Sequence, residues 1–283
     1  MNIKQILLGT TLAIASSTSF AAPVTVSGIT WDPDAGSDFT ADTGLFESFV
    51  GGVGDFVTGY GEVNQFNGTN QNVFAPASEL TLYFKYQLLQ SKHTTATFDG
   101  TNTTVSVIED LWNSGTSSVD TTTTSSIFGG DLTGIVNTTT YNFSFGNGLV
   151  NFYADAAANF DANAPLLTQA TDGILFLELV NHGLLTGNAT NLFDLDTLNG
   201  QGSGFLDVIG GTAASNFNTN AETDGSDLQF TSSFHKNLQA HETGYPVGGT
   251  THITGQTIPE PTSIALIGLG LLGFGASRIR RTA

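Results

Sequence analysis

Between residues 22 and 234 the chain is written in short runs of alternating apolar and polar residues, separated by Gly, Asn and Asp. A period of two is the signature of a half-buried strand, and those separators are turn formers. Val24-Thr25-Val26-Ser27-Gly28-Ile29-Thr30-Trp31 alternates and predicts a first strand, followed by a turn at Asp32–Asp38. Glu62–Phe66 predicts a short strand that ends at the turn pair Asn67-Gly68. Glu79–Leu89 is the strongest strand pattern, with Leu80, Leu82, Phe84 and Tyr86 on one face or aromatic residues on both. Thr94–Phe98 and Thr103–Ile108 flank Asp99-Gly100, a hairpin turn pair. Thr116–Ser126 is a Ser/Thr run that reads as a loop or an edge strand. Tyr141–Phe145 and Leu149–Tyr153 around Gly146-Asn147-Gly148 predict a hairpin. A short helix stopped at Pro165 is expected within Ala154–Leu167, and Gly173–Val180 reads as a strand buried on both faces. Phe205–Ile209 and Leu228–Phe234 complete the set, and His235–Thr257 reads as a polar, Gly-rich stalk.

Strand formers and turn residues dominate and good helix formers are scarce, so the body is expected to be all-β. A β-sandwich or jelly roll fits the number of strands better than a barrel or propeller does. No period of 20–50 residues repeats. The organisation expected is a signal peptide at 1–21, an all-β extracellular body at 22–234, a stalk at 235–257 and a sorting tail at 258–283.

Charge changes the picture in one direction. Residues 22–257 hold three lysines, no arginine and 24 acids, which leaves about −21. Such a surface repels nucleic acid and anionic lipid and attracts cations. The chain contains no cysteine, so disulfides and Cys-based metal or redox sites are excluded.

Two apolar runs break the alternation. Ile6–Ala15 follows Lys4 and precedes Ser19-Phe20-Ala21, the layout of a secretory signal peptide cleaved after Ala21. Ile264–Ala276 is preceded by Pro259-Glu260-Pro261 and followed by Arg278, Arg280 and Arg281. Thirteen helical residues span about 20 Å against about 30 Å of hydrocarbon, so this predicts a single short transmembrane helix that holds the membrane marginally. The arginines belong on the cytoplasmic side. Gly268-Leu269-Gly270-Leu271-Leu272-Gly273 matches a dinucleotide-binding pattern, but the strand, helix and acid that the pattern needs are missing around it.

The Pro-Glu-Pro, apolar stretch and Arg-rich end together resemble a PEP-CTERM sorting signal. That resemblance implies export through the inner membrane of a Gram-negative bacterium and recognition by an exosortase, a membrane transpeptidase-like protease. It also implies a genetic association with exopolysaccharide production. Gly59-Tyr60-Gly61-Glu62-Val63-Asn64-Gln65-Phe66-Asn67-Gly68, with Glu79-Leu80-Thr81-Leu82-Tyr83-Phe84, is similar to a segment of flocculation-associated PEP-CTERM proteins.

Candidate chemistry in the body is sparse. Adjacent acids at Glu109-Asp110 and Asp194/Asp196 satisfy the composition of a glycosidase pair, with solvated acids as the plainer reading. His182, His235, His241 and His252 are available to a Ser-His-Asp triad, but no Gly-x-Ser-x-Gly elbow accompanies them. Gly202-Ser203-Gly204 reads as a turn. His241-Glu242 lacks the second histidine of a zinc helix. Asp32, Asp34 and Asp38 place oxygens at alternate positions around Gly36, partly like a calcium loop, but Thr43 stands where the bidentate acid belongs. Glu222–Asp227 is a second oxygen-rich loop, and Asx-turn chemistry explains both. Trp31, Trp112, Tyr60 and Tyr245 are possible sugar-stacking residues, with burial as the default for a lone Trp. Thr121–Thr124 and Thr138–Thr140 are possible glycan acceptors.

The sequence therefore leads to a non-enzymatic, exported surface or extracellular-matrix protein. It would be held transiently at the inner membrane, processed by an exosortase-like protease and associated with extracellular polysaccharide in a biofilm or floc. No cofactor is required, calcium being the one inorganic candidate, and nucleic acid is not a partner. The alternatives are a secreted polysaccharide hydrolase and a calcium-dependent adhesin.

Overall fold

The computed structural model describes residues 23–33, 39–98, 103–113, 116–126, 140–238 and 242–258. Its strands are β1 (Val24–Val26), β2 (Ile29–Trp31), β3 (Phe39–Glu47), β4 (Phe56–Phe66), β5 (Thr69–Asn70), β6 (Glu79–Phe98) and β7 (Thr103–Asn113). They continue with β8 (Thr116–Ser126), β9 (Thr140–Asp155), β10 (Ile174–Thr190), β11 (Asn199–Gly210), β12 (Leu228–Lys236) and β13 (Val247–Gly255). Two single-turn helices, α1 (Gln71–Phe74) and α2 (Ala214–Phe217), lie between strands.

Around the sheet, β3, β4, β6, β9, β10, β11, β12 and β13 are each antiparallel to the next, and β13 pairs back onto β3. Closure on the other side comes from β4 and β6, in register from Phe56 opposite Gln87 to Glu62 opposite Thr81. The all-β expectation holds, but the architecture is a closed, eight-stranded, up-and-down barrel, not a sandwich or jelly roll. Two staves are missing from the sequence reading: β3, in a stretch given no element, and β13, which lies inside the expected stalk at 235–257. Only Val247 and Ile253 among the inward positions of β13 are large and apolar, because Gly249 and Thr251 share that face. That pattern reads as polar, yet the strand bonds to β12 and β3 along its whole length. Without it the remaining staves cannot close.

Inside the barrel, the alternation of β6 puts Leu80, Leu82, Phe84, Tyr86 and Leu88 on the core face, all buried. Phe143, Val150 and Phe152 face them from β9. Large rings fit because glycines stand opposite them. A Cβ on Gly148 would meet the Tyr86 ring at 1.9 Å, and one on Gly200 would meet the Phe234 ring at 2.3 Å. Gly202-Ser203-Gly204 is therefore the middle of β11 and not a turn. Gly146-Asn147-Gly148 likewise is not a hairpin. It is an irregularity in the single strand β9, where Asn147 adopts φ 48° and the register against β6 slips. Both halves of β9 keep pairing with β6 and β10, so the glycines bend a strand instead of reversing it.

One end of the barrel is plugged. Val24–Trp31 is not one strand but the hairpin β1–β2, with Ser27 (φ 52°) and Gly28 (φ 84°) forming a two-residue turn of the I′ kind. It carries Ile29 and Trp31 into the barrel end. The Trp31 ring lies 5.1 Å from Phe217 of α2, 6.1 Å from Phe176 and 6.3 Å from Phe66. The Ser78 hydroxyl donates to the Gly28 carbonyl at 3.2 Å.

The expected pairing across Asp99-Gly100 is present, with Phe98 opposite Thr103. The Ser/Thr run 116–126 is an edge strand, β8, antiparallel to β7. Beyond Gln87, β6 parts from β4 but stays paired with β9 as far as Thr94, and β7 and β8 extend the sheet from its freed edge. Within Ala154–Leu167 no helix forms. The segment 156–173 instead runs as turns over the outside of the wall. There Phe160, Leu167 and Ala170 pack with Phe46, Tyr60, Tyr83 and Tyr245 in a second, smaller apolar cluster. In β10, Phe176 and Leu177 are both fully buried because the register shifts between Leu175 and Leu177.

Candidate functional site

Where β11, β12, β13 and β3 run side by side at 201–203, 231–233, 250–252 and Asp42, the outward side chains are polar and mostly uncharged. The register lays them in rows across the strands. Gln201 stands opposite Ser233, which stands opposite Thr250. One step along, Ser203, Thr231, His252 and Asp42 are opposite one another in turn. Neighbouring strands lie about 4.8 Å apart and alternate residues about 6.7 Å apart, so the rows form a regular grid of hydroxyl and amide groups. The Ser233 and Thr250 hydroxyls are 2.9 Å apart, and His252 Nδ1 pairs with the Asp42 carboxylate. With Asn64 these residues, Ser203 apart, line a shallow groove of about 520 Å³ on the outer wall. Apolar-in and polar-out is the reverse of the polarity of a membrane barrel.

The lumen is chemically opposite. It keeps a cavity of about 90 Å³ lined by Leu45, Phe84, Tyr86, Phe143 and Phe230 among others. Pockets for drug-sized ligands are about 300–1,000 Å³, so this is residual space in a packed core. Among the described residues one carboxyl group lines it. Glu47 ends the inward series Ala41-Thr43-Leu45-Glu47, is 6 % exposed, and its Oε1 has no hydrogen-bond partner. Desolvation pushes its pKa up to about 8, so near neutral pH it is largely a neutral acid. The Tyr86 hydroxyl is also buried without a partner, and burial raises its pKa.

On the outer wall the Tyr60 hydroxyl donates to Pro165 O at 3.3 Å and Glu242 Oε2 at 3.1 Å. Glu242 also accepts from Leu167 N at 2.9 Å, so one carboxylate ties the 156–173 segment to the wall. Burial, then the Glu242 hydrogen bond, raises the Tyr60 pKa.

Three further carboxylates, on Glu79, Asp155 and Asp172, each offer an oxygen within 4.8 Å of the others. They sit at the start of β6, at the end of β9 and just before β10. The sequence reading missed them and Glu47. Glu79 and Asp155 are 76 positions apart in the chain, and only the antiparallel register brings them together. Residues 39–47 carry an alternation that would have shown Glu47 on a core face.

The residues singled out from the sequence land as follows. Pro259, Glu260, Pro261, Arg278, Arg280, Arg281 and Ala21 lie outside the described residues, as do Asp34, Asp38 and His241. So does the apolar run 264–276; among the described residues no helix is long and apolar enough to cross a membrane. Asp32 is described, and its carbonyl accepts from Asn67 Nδ2 at 2.7 Å. In the second oxygen-rich loop, Asp227 is 2 % exposed and accepts from the backbone N–H groups of Val208, Thr219 and Asn220 at 2.6–2.7 Å. Asp224 accepts from Ser226 N and Oγ, which lowers its pKa. That loop is Asx-turn chemistry. Asp194 caps its own turn through Asp196 N and Thr197 Oγ1, and Asp196 pairs with Lys236. Glu109 pairs with Lys92 at 3.3 Å. His182 Nδ1 lies 2.9 Å from Asp207, which raises the imidazole pKa. Trp31 and Tyr60 are buried and cannot stack on a sugar, whereas Tyr245 is half-buried with its ring edge-on to Tyr60 at 4.8 Å.

Residues 257–281 match a family model described as the PEP-CTERM protein-sorting motif. The motif marks an exported protein handled by an exosortase, a membrane enzyme, and bound for the cell surface or the extracellular space. No curated protein and no solved structure matches the chain.

Proposed function

We propose that this protein is a non-enzymatic surface or matrix component, retained in exopolysaccharide of a biofilm or floc through the polar grid on the outer wall of its barrel. The observation that carries the reading is that grid: rows of Gln, Ser and Thr held at fixed spacing on a rigid sheet, delivered by a tail that directs the chain outward. Hydroxyl and amide groups donate and accept towards sugar hydroxyls without a charge requirement. With about −21 on residues 22–257, a neutral glycan is favoured over a polyanionic one.

The packing also supports a role without catalysis. The lumen acid Glu47 sits in a space smaller than a sugar-binding pocket. In the carboxylate cluster Glu79 is 1 % exposed, which leaves no face for a sugar ring between it and Asp155. The test is retention of the purified protein in gels containing the producing strain's exopolysaccharide. Changing Gln201, Ser233 and Thr250 together to Ala is expected to weaken retention about tenfold while the melting temperature stays within a few degrees, since exposed substitutions cost little. Release of reducing ends from the polysaccharide, or unchanged retention of the triple variant, overturns the reading.

A further inference from the structure

Glu79 and Asp155 stand directly opposite each other in the β6–β9 register. Like charges in that position destabilise a sheet, and their side chains share one face. Asp172 closes the group from the chain just ahead of β10, so three acids meet at the rim of adjacent strands with oxygens mutually within 4.8 Å.

Among the described residues no basic side chain pairs with them. The three lysines of residues 22–257 are engaged elsewhere: Lys85 lies over the Phe56 ring, Lys92 pairs with Glu109 and Lys236 with Asp196. The polar contacts of the group are few. Glu79 Oε2 accepts from Phe160 N at 2.9 Å, Asp155 Oδ1 accepts from Ala157 N at 3.0 Å, and Asn159 Nδ2 donates to Asp172 at 3.1 Å and Asp155 at 3.5 Å. That leaves one orphan. Glu79 is 1 % exposed and its Oε1 is buried without any hydrogen-bond partner. Burial raises the Glu79 pKa, and a buried carboxylate inside a cluster of acids is costly unless it holds its proton or a cation meets it.

We infer that Glu79, Asp155 and Asp172 form a calcium site that clips both ends of the 156–172 segment to the barrel wall. The donors are all oxygen, with neither imidazole nor thiolate, which selects a hard cation. Calcium–oxygen distances are about 2.3–2.6 Å, so a single ion reaches oxygens up to roughly 4.8 Å apart, and its coordination tolerates irregular geometry and ligands completed by water. Magnesium is smaller and holds its water, and fits such a spread less well. Asp155 and Asp172 bracket the segment that carries Phe160, Leu167 and Ala170 onto Tyr60 and Tyr83. The ion therefore fastens the cover of the outer apolar cluster. This site is separate from Asp32, Asp34 and Asp38, and it does not depend on the polysaccharide reading.

The test uses the purified full-length chain in calcium chloride, magnesium chloride and EGTA. Calorimetric titration is expected to show one calcium site, with the melting temperature higher in calcium than in EGTA and magnesium giving a smaller rise. Asp172→Asn, an exposed change, should weaken calcium binding about tenfold or more, because affinity follows the number of ligand charges. In EGTA the same variant should melt at or above the wild-type temperature, since a repulsion has been removed. Limited proteolysis within 156–172 should accelerate in EGTA. A wild-type chain with the same melting temperature in all three buffers and no calcium heat overturns the site. So does binding that survives in Asp172→Asn but is lost in Asp34→Asn.

Discussion

At Glu47 the fold keeps a carboxyl in a place where only its neutral form is tolerated. The folded pKa of about 8 lies above the unfolded value of 4.5. The folded state therefore holds the proton more tightly, and stability from this group is fully present below pH 4.5 and lost as pH rises through 8. Glu47→Gln is neutral at every pH. The difference between variant and wild type should be near zero at pH 4 and grow with pH, with Gln the more stable by about 4 kcal/mol at pH 8 to 9. Denaturant titrations of both proteins across that range measure it. A difference that stays constant with pH would remove the titration from Glu47. The sequence carried this residue in plain view, in the alternation Ala41-Thr43-Leu45-Glu47, but an acid at the end of a weak pattern reads as a solvent-facing strand end. Trp31 is the opposite case: its burial was the default expectation for a tryptophan, and the aromatic plug bears it out.

Strands with large inward residues were legible. Glu79–Leu89 and Leu228–Phe234 alternate between long apolar and polar side chains, and both are staves. Strands whose inward residues are glycine or threonine were not, because closeness of another strand's ring, and not apolar character, fills their place. β13 reads as stalk for that reason, and the glycines of β9 as a turn. The same ambiguity hid the first hairpin, where Ser27-Gly28 separates two three-residue strands that alternate in phase. Both turn residues have positive φ, which glycine adopts freely and asparagine tolerates better than serine. Ser27→Asn should therefore stabilise the protein by about 0.5 kcal/mol, read as a rise in the denaturation midpoint at an unchanged slope. A loss of stability would count against the two-residue turn.

For the whole molecule, the all-β class followed from composition and alternation, while closure did not, because it depends on which strand meets which across the entire chain. Two truncations separate the views. A chain ending at Ile258 keeps every stave and should unfold cooperatively at a midpoint close to that of the full-length protein. A chain ending at Asn237 loses β13 and leaves β12 and β3 with open edges, so it should be aggregation-prone and without a cooperative transition. Circular dichroism melts and size-exclusion profiles of the pair are the measurement. If the shorter chain melts as the longer one does, the barrel is not closed through β13.

Ile258 is not slack chain. Its N–H donates to the Asn216 carbonyl of α2 at 2.8 Å, and Thr257 beside it is buried. The sorting motif begins at residue 257, so its first two residues belong to the folded body. An enzyme that grips the motif from its first residue must therefore loosen Thr257 and Ile258 from α2. In this design, release of the protein and completion of its fold compete for the same few residues.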